Sequence, residues 1–317
     1  MKELEGKTKE CYLEDFENIN SHDFVKMMTL DSCFIVELLQ SYLGKDMEKP
    51  IFETRWMLPT IAHDLLMLEN QLPKFVPQKI FELTTIKREP TLNMLALQFF
   101  VPLRPGKDKL KIDILETKGK YPHLLALFHS TFVSRDHKKQ LSLVKGVHNA
   151  TSLKHVGVRF RKKSGNLLGM EFKSGKLKIP PLFINDSTGP LLRNLIAYEQ
   201  SDRYPAPCFS CLVIILDSLV DTIEDIDILR DAGIIKQVKG GNEEVVNLLN
   251  SLSKHLEFDI DDYCITEKIV AVNHFYRSKW FRVLFILVHS KIGYLGIAVD
   301  EESGEEASSL SNQPEIG

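Results

Sequence analysis

The sequence lacks a recognisable targeting or membrane-spanning segment. Its first residues, Met1 to Lys7, are charged, and no apolar stretch of the kind found in a secretory signal follows them. The best candidate for a membrane span, Val283 to Val288, lies between Arg282 and Lys291 and falls far short of the roughly 20 residues that cross a bilayer. As written, the chain is therefore expected to be soluble and cytoplasmic.

The chain also has little net charge and few cysteines. The net charge is −3, which is too small to favour wrapping of nucleic acid or electrostatic attachment to an anionic membrane. The chain has an odd number of cysteines, and most of them lie in apolar segments. The five are Cys11, Cys33, Cys208, Cys211 and Cys264. This pattern favours buried thiols in a reducing compartment over a disulfide framework.

The usual motifs of catalysis and cofactor binding are missing. The sequence contains no dinucleotide-binding glycine motif, and Gly240-Gly241 lacks the following lysine of a phosphate-binding loop. Cys208 and Cys211 have the spacing of a redox or metal pair, but no second pair lies nearby to complete a zinc site. His123 and His129, six residues apart, are expected to be solvent-facing or hydrogen-bonded in the core. We therefore assign no catalytic residue, no cofactor and no metal.

Apolar periodicity predicts that the first half is helical. A broad apolar face recurs at spacings of three and four up to Gly44, where a helix should end. Similar patterns, with prolines near their starts or ends, predict helices at 22–43, 56–72 and 75–83, after Pro90, and after Pro122.

The middle of the chain changes to strand-like alternation. Segments 156–161 and 177–179 alternate apolar with polar or small residues, and turn-like sequences separate them, so we predict a small antiparallel sheet. Helices then return, including a nearly all-apolar one at 208–220 and a capped one after Thr222. The predicted class is α+β, predominantly α-helical, with a single domain at 20–290 and a disordered acidic tail at 291–317.

Two polar clusters need an interpretation. The triplet Glu69-Asn70-Gln71 is predicted to lie inside a helix just before Pro73, and to form a hydrogen-bond network joining two helices. A basic cluster at the end of a predicted strand comprises Arg159, Arg161, Lys162 and Lys163. Because no aromatic residues for base stacking surround it, a solvated strand end is favoured over contact with nucleic acid or phospholipid.

Several sequence blocks, in order, resemble the plant family catalogued as domain of unknown function 247. The resemblance covers about residues 22 to 282, and is carried by Met27–Leu38, Asp64–Pro73, Leu153–Phe160, Leu177–Leu182, Asp186–Gln200 and Asp217–Val220. It implies a non-enzymatic protein that is membrane-anchored in most members and whose partner is another protein. Some grass members are implicated in self-incompatibility, which suggests recognition or signalling.

The chain departs from this family at both ends. It begins close to the Met27 block, without the additional N-terminal block of most members. After Ser278-Lys279-Trp280 it continues into Gly293 to Gly296 and the acidic tail, where the family has a hydrophobic anchor. Two alternatives to an interaction protein therefore stay open. One is a hydrolase or thiol enzyme that uses Cys208 or Cys211, and the other is a truncated, non-functional family member.

Overall fold

The computed structural model describes residues 1–13, 16–44, 50–85, 90–106, 119–133, 147–201, 207–237, 240–254, 256 and 268–279. Most of these residues are helical. In chain order the helices are α1 (Glu5–Lys9), α2 (Ser21–Gly44), α3 (Pro50–Glu53), α4 (Met57–Asp64), α5 (Phe75–Thr84), α6 (Leu92–Phe100), α7 (Leu124–Ser130), α8 (Ala150–His155), α9 (Thr188–Ser201), α10 (Cys208–Leu219), α11 (Ile223–Asp231), α12 (Asn242–Ser253) and α13 (268–279).

The strands form two small sheets in the second half of the described chain. The first sheet contains β1 (Arg159–Lys162), β2 (Glu171–Lys173) and β3 (Lys176–Ile179) in the order β1-β3-β2. The second pairs β4 (Leu182–Ile184) with β5 (Ile235–Gln237) in parallel. The predicted class, α+β and mostly helical with a small sheet in the middle, is confirmed.

The first sheet is mixed, so the expectation of an antiparallel sheet is only partly correct. The two predicted strands, β1 and β3, pair in parallel, and the antiparallel pair is β2 with β3. A tight turn at Ser174 and Gly175, with φ of 50° and 70°, reverses the chain and makes β2 and β3 antiparallel. No such turn links β1 to β3. An intervening loop and β2 separate these two strands in sequence, and β1 joins β3 in parallel.

Helix α2 has the bounds that its apolar periodicity predicts. Residues at spacings of three and four, including Phe24, Met28, Ile35 and Leu39, are at most 6% exposed. The helix ends at Gly44, as expected, and it packs on α5 and α6. Burial of each large apolar side chain stabilises the fold by roughly 2 kcal/mol, so this face fixes α2 against its neighbours.

The core is one large cluster with a small satellite. The large cluster extends from Ile35 to Val272 and includes most of α10, so the prediction that this apolar helix is central is confirmed. The satellite consists of Phe24, Met28 and Val76, which the N-terminal aromatic residues partly cover.

The helix predicted over 56–72 is wrong in its second half. Helix α4 ends at Asp64, Leu68–Asn70 forms a single 3-10 turn, and Gln71 is extended, with φ of −95° and ψ of 128°. The Gln71 side chain donates to the carbonyls of Leu65 and Met67, at 2.9 and 2.7 Å. These side-chain bonds offer an alternative to the helical ladder, which apolar spacing alone does not reveal.

Some predictions fall on residues outside the described ranges. They concern the acidic tail at 291–317 and Cys264. Within the described ranges, no helix combines the length and the apolar character that a bilayer crossing requires.

Candidate functional site

The most elaborate polar site is a carboxylate buried at the start of α10. The Glu199 side chain, which has no exposed surface, extends from α9 and accepts four hydrogen bonds. Its donors are Phe209 N (2.8 Å), Ser210 N (2.8 Å), Ser210 Oγ (2.7 Å) and His129 Nε2 (2.7 Å). The first amides of a helix have no partner within the helix and carry partial positive charge, so a carboxylate is well placed there.

His129 completes this site from the last turn of α7. Its side chain is 4% exposed, and its ring lies 5.3 Å from that of Tyr198 and 5.7 Å from that of Phe209, centroid to centroid. Because the Glu199 carboxylate accepts this bond, the imidazole carries a proton on Nε2 and donates it. The site therefore joins α7, α9 and α10, and it fulfils the prediction of a histidine that is hydrogen-bonded in the core.

Serine, histidine and an acid also make up hydrolytic triads, but the bonding here follows a different order. In a triad the imidazole bonds to the serine hydroxyl and accepts its proton. Here Ser210 Oγ and His129 Nε2 both donate to the Glu199 carboxylate, and Ser210 has no exposed surface. This geometry joins three helices, and the acceptor of the serine hydroxyl is a carboxylate instead of an imidazole.

Sequence reasoning missed Glu199. The signal was present, because Leu192, Leu195, Ile196 and Glu199 follow one another at helical spacing and place a carboxylate on the buried face of α9. Its partners lie in other segments of the chain, so their identity could not be read from that pattern.

The network predicted for Glu69, Asn70 and Gln71 is confirmed only for Gln71, and it forms outside a helix. Besides its two donated bonds, Gln71 accepts from Leu125 N at 3.0 Å with Oε1, so one side chain joins the end of α4 to the start of α7. Asn70 donates to the Asp64 carbonyl at 3.0 Å. Glu69 is exposed.

A second buried carboxylate caps α11. Asp225 is 0% exposed, and both its oxygens accept bonds from Thr222 and Thr151, among other donors, at 2.7 to 3.1 Å. Burial alone would raise the pKa of Asp225, but the hydrogen bonds from Thr151 and Thr222 outweigh it and the net pKa is lowered. The predicted capping at Thr222 is confirmed as a capping box.

Lys74, just before α5, is a buried cation. It is 6% exposed, and its side chain has no ion pair with any residue that the structure describes. Desolvation lowers its pKa to about 8. The neighbouring helix N-terminus adds partial positive charge, which also disfavours the protonated amine. No sequence pattern indicated this burial, since Lys74 is a single charged residue between Pro73 and the start of α5.

The cysteines divide into two classes. Cys208 and Cys211 are buried, with 0% and 2% exposed, whereas Cys11 and Cys33 are exposed, contrary to the expectation of mostly buried thiols. The thiol-enzyme hypothesis requires an accessible thiol of lowered pKa, and the structure places both of its cysteines in the core. Among the described residues, no group of three His, Cys, Asp or Glu side chains could hold a metal ion.

Two surfaces stand out among the described residues. On α2, the large apolar residues Met27, Leu30 and Phe34 are 36%, 58% and 47% exposed, and we call them the α2 stripe. On the first sheet, strand alternation divides the predicted basic cluster: Lys162 is on the same side of β1 as buried Phe160 and lies beside Gly233, although it is itself exposed at the strand end. Arg159, Arg161 and Lys163 instead face outward with basic residues of β2 and β3.

Comparison with known proteins identifies a family for this chain. The model of a family described as "plant protein of unknown function", domain of unknown function 247, matches residues 1–294. The chain belongs to this plant family. The predicted resemblance is thus confirmed and extends to the N-terminus.

Two curated relatives support the assignment. A UPF0481 protein of Arabidopsis thaliana is 30% identical over 310 residues, which cover 89% of this chain and 64% of the relative. A second Arabidopsis thaliana UPF0481 protein is 25% identical over 175 residues, which cover 54% of this chain and 33% of the relative. The chain thus spans less than two thirds of the length of the relatives that it matches. No solved structure matches it significantly.

Proposed function

We propose that this plant-family member is a non-enzymatic interaction protein and that the α2 stripe contacts its protein partner. The observation that carries the proposal is the exposure of Met27, Leu30 and Phe34 at successive spacings of three and four on one helix. Adjacent exposed apolar side chains gain roughly 25 cal/mol for each Å² that a partner covers. Single exposed apolar residues are common, but a contiguous row of large ones is typical of a binding surface.

The position of the stripe on α2 supports this role. The buried residues Met28, Ile35 and Leu39 hold the opposite side of the helix in the core. A rigid helix exposes its outer residues without having to order them on binding, which lowers the entropic cost of association. The charged residues Lys26 and Glu37, both exposed, border the stripe. A partner with an amphipathic helix fits such a surface best.

The structural roles of the polar clusters support the proposal that the protein is not an enzyme. Glu199, Gln71 and Asp225 direct their hydrogen-bonding groups to donors and acceptors inside the fold, where they join helices. Membrane association and recognition of the self-incompatibility type, which the family resemblance implies, are finer parts of the same proposal and stay predictions. They concern whole family members, and this chain spans 64% of one such relative.

A photo-activated cross-linking residue at position 30 tests the proposal in plant cells. We expect one dominant protein adduct, and we expect Phe34→Asp in the same chain to abolish it, because a charge in the stripe opposes apolar contact. The matched control carries the cross-linker at exposed Lys79 on α5. The same adducts from positions 30 and 79, or an adduct that survives Phe34→Asp in a protein with unchanged circular dichroism, would refute the α2 stripe.

The truncated-member alternative makes a different prediction. It expects a chain that aggregates on expression and gives no position-specific adduct. The thiol-enzyme alternative expects one thiol of the Cys208 and Cys211 pair to react rapidly in the folded protein, which a labelling experiment measures directly.

A further inference from the structure

The first sheet presents a strongly basic face to solvent. Residues paired across adjacent strands direct their side chains to the same face. The registers therefore form two rows on the outer face, Arg159-Lys176-Lys173 and Arg161-Lys178-Glu171. Lys163 adjoins the second row through its 3.2 Å ion pair with Glu171. Six basic side chains and one carboxylate thus share this face, which we call the basic face, in a chain whose net charge is −3.

The single carboxylate of the basic face is already engaged. Glu171 pairs with Lys163 at 3.2 Å and with Lys178 at 3.5 Å. The hydrogen bond from Lys163 and the charges of both lysines lower the pKa of Glu171. No ion pair within the described chain involves the side chains of the other four basic residues, Arg159, Arg161, Lys173 and Lys176. Like charges that are paired across strands, as in the row Arg159-Lys176-Lys173, repel one another. An acidic segment bound there would therefore stabilise the row.

The chain itself contains a segment of complementary charge. Asp300 to Glu306 carries five carboxylates in seven residues. This segment follows α13, and α13 is fixed to the sheet: the Phe275 ring lies 5.6 Å from that of Phe172, and its Cζ is 3.0 Å from where a Cβ on Gly175 would be. The last described turn of α13 therefore lies near the β2–β3 turn, which Lys173 and Lys176 flank.

The connection is long enough to bring the two charged regions together. The described part of α13 stops at residue 279, and twenty residues, 280–299, separate it from Asp300. A chain of that length spans at most roughly 70 Å. A covalently linked segment has an effective concentration on the order of millimolar, which makes even weak charge pairing substantial. We propose that Asp300–Glu306 docks in cis on the basic face, where its carboxylates pair with Arg159, Arg161, Lys173 and Lys176. The α2 stripe takes no part in this contact.

Fluorescence anisotropy with a labelled synthetic peptide of residues 298–308 tests the docking. In a first variant all five acids are neutralised, as Asp300→Asn, Glu301→Gln, Glu302→Gln, Glu305→Gln and Glu306→Gln. Because the tethered segment no longer competes, we expect the peptide to bind this variant about tenfold more tightly than the unaltered chain. Added salt should weaken binding, since exposed charges are screened.

Further substitutions locate the binding surface. They are made in the variant whose five tail acids are neutralised, which we call the tail-neutral variant. We expect Arg159→Gln, Lys173→Gln and Lys176→Gln together to abolish peptide binding. The charge-matched control neutralises three exposed lysines elsewhere, Lys26, Lys79 and Lys254, and should retain it. Equal peptide affinity for the unaltered and tail-neutral chains, or equal losses from both triple variants, would overturn the proposal. The proposal would also be overturned if the tail-neutral variant did not bind the peptide but bound phosphatidylserine-containing vesicles through Lys173 and Lys176.

Zero-length carbodiimide cross-linking gives a second test on the unaltered chain. We expect amide bonds between the tail carboxylates and Lys173 or Lys176, identified by mass spectrometry after digestion. Mixing ¹⁵N-labelled and unlabelled chains distinguishes docking within one chain from docking between two chains, since docking in cis produces no mixed-isotope product. Cross-links that are mainly mixed, or absent at these lysines, would contradict docking in cis.

Discussion

His129 Nε2 donates to Glu199 Oε1 across 2.7 Å, and this bond joins α7 to α9 through two residues that are 70 apart in sequence. The same carboxylate accepts the free amides at the start of α10. Three helices of the core thus meet at one buried charge, which makes their packing interdependent.

The first prediction concerns Glu199→Gln. The new amide places an NH₂ group against a donor, either Ser210 or the Phe209 and His129 pair, so we expect a loss of about 2–4 kcal/mol in the free energy of unfolding. Urea denaturation monitored by circular dichroism measures it. Exposed Gln200→Glu, on the same helix, is the control and should change stability by less than about 0.5 kcal/mol. Similar losses from both variants would show that the buried site is not what stabilises the fold.

The second prediction concerns Lys74. With its pKa lowered from 10.5 to about 8, the folded chain releases a proton that the unfolded chain retains between these values. Stability therefore rises with pH across this window, and at pH 7 the buried charge costs about 3 kcal/mol. Lys74→Met should be more stable by up to this amount at pH 7, and its advantage should shrink towards pH 10.

Denaturant titrations at several pH values check the Lys74 prediction. Lys79→Met, on the exposed side of α5, serves as the control and should show no such pH-dependent difference. A constant difference between Lys74→Met and the unaltered chain from pH 7 to pH 10 would mean that Lys74 keeps its ordinary pKa in the fold.

The third prediction separates Gln71 from Asn70. Gln71→Ala leaves the Leu125 amide and two carbonyls without their partner, so we expect a loss of about 2 kcal/mol. Asn70→Ala removes one bond at an exposed position and should cost less than about 1 kcal/mol. The two melting curves, compared at the same pH, decide the matter. The reverse order would place the main contribution in Asn70 instead.

The fourth prediction concerns thiol labelling of the folded chain. Exposed Cys33 should react with a thiol reagent faster than Cys11, because partial burial raises the pKa of Cys11. In a Cys11→Ser, Cys33→Ser variant, we expect Cys208 and Cys211 to react only as fast as the fold opens. Mass spectrometry of the digested protein assigns each site. Rapid modification of Cys208 or Cys211 in the native state would favour the thiol-enzyme hypothesis.

The sequence predicted features whose signal is local. The bounds of α2 follow from apolar spacing and a terminal glycine, and α5 follows from Pro77 in its first turn. The Thr222 cap was visible for the same reason, since Asp225 lies only three residues away. Family membership was likewise predictable, because it depends on ordered sequence blocks.

Features that depend on distant residues were missed. The acceptor role of Glu199 requires α7, α9 and α10 to meet, and no periodicity encodes that meeting. The basic cluster was only partly correct, because strand alternation removes Lys162 from the outer face and strand pairing adds Lys173, Lys176 and Lys178. The sheet register, which is set by tertiary packing, decides which charges become neighbours.

The β2–β3 turn has a consequence for variation at position 175. Gly175 adopts φ of 70°, and Phe275 occupies the space that any larger residue would need. Even Gly175→Ala would therefore strain the hairpin and force the Phe275 ring to shift by a few tenths of an ångström. A single methyl group at this turn would thus act on a helix that lies about one hundred residues further along the chain, because Phe275 of α13 lies against Gly175.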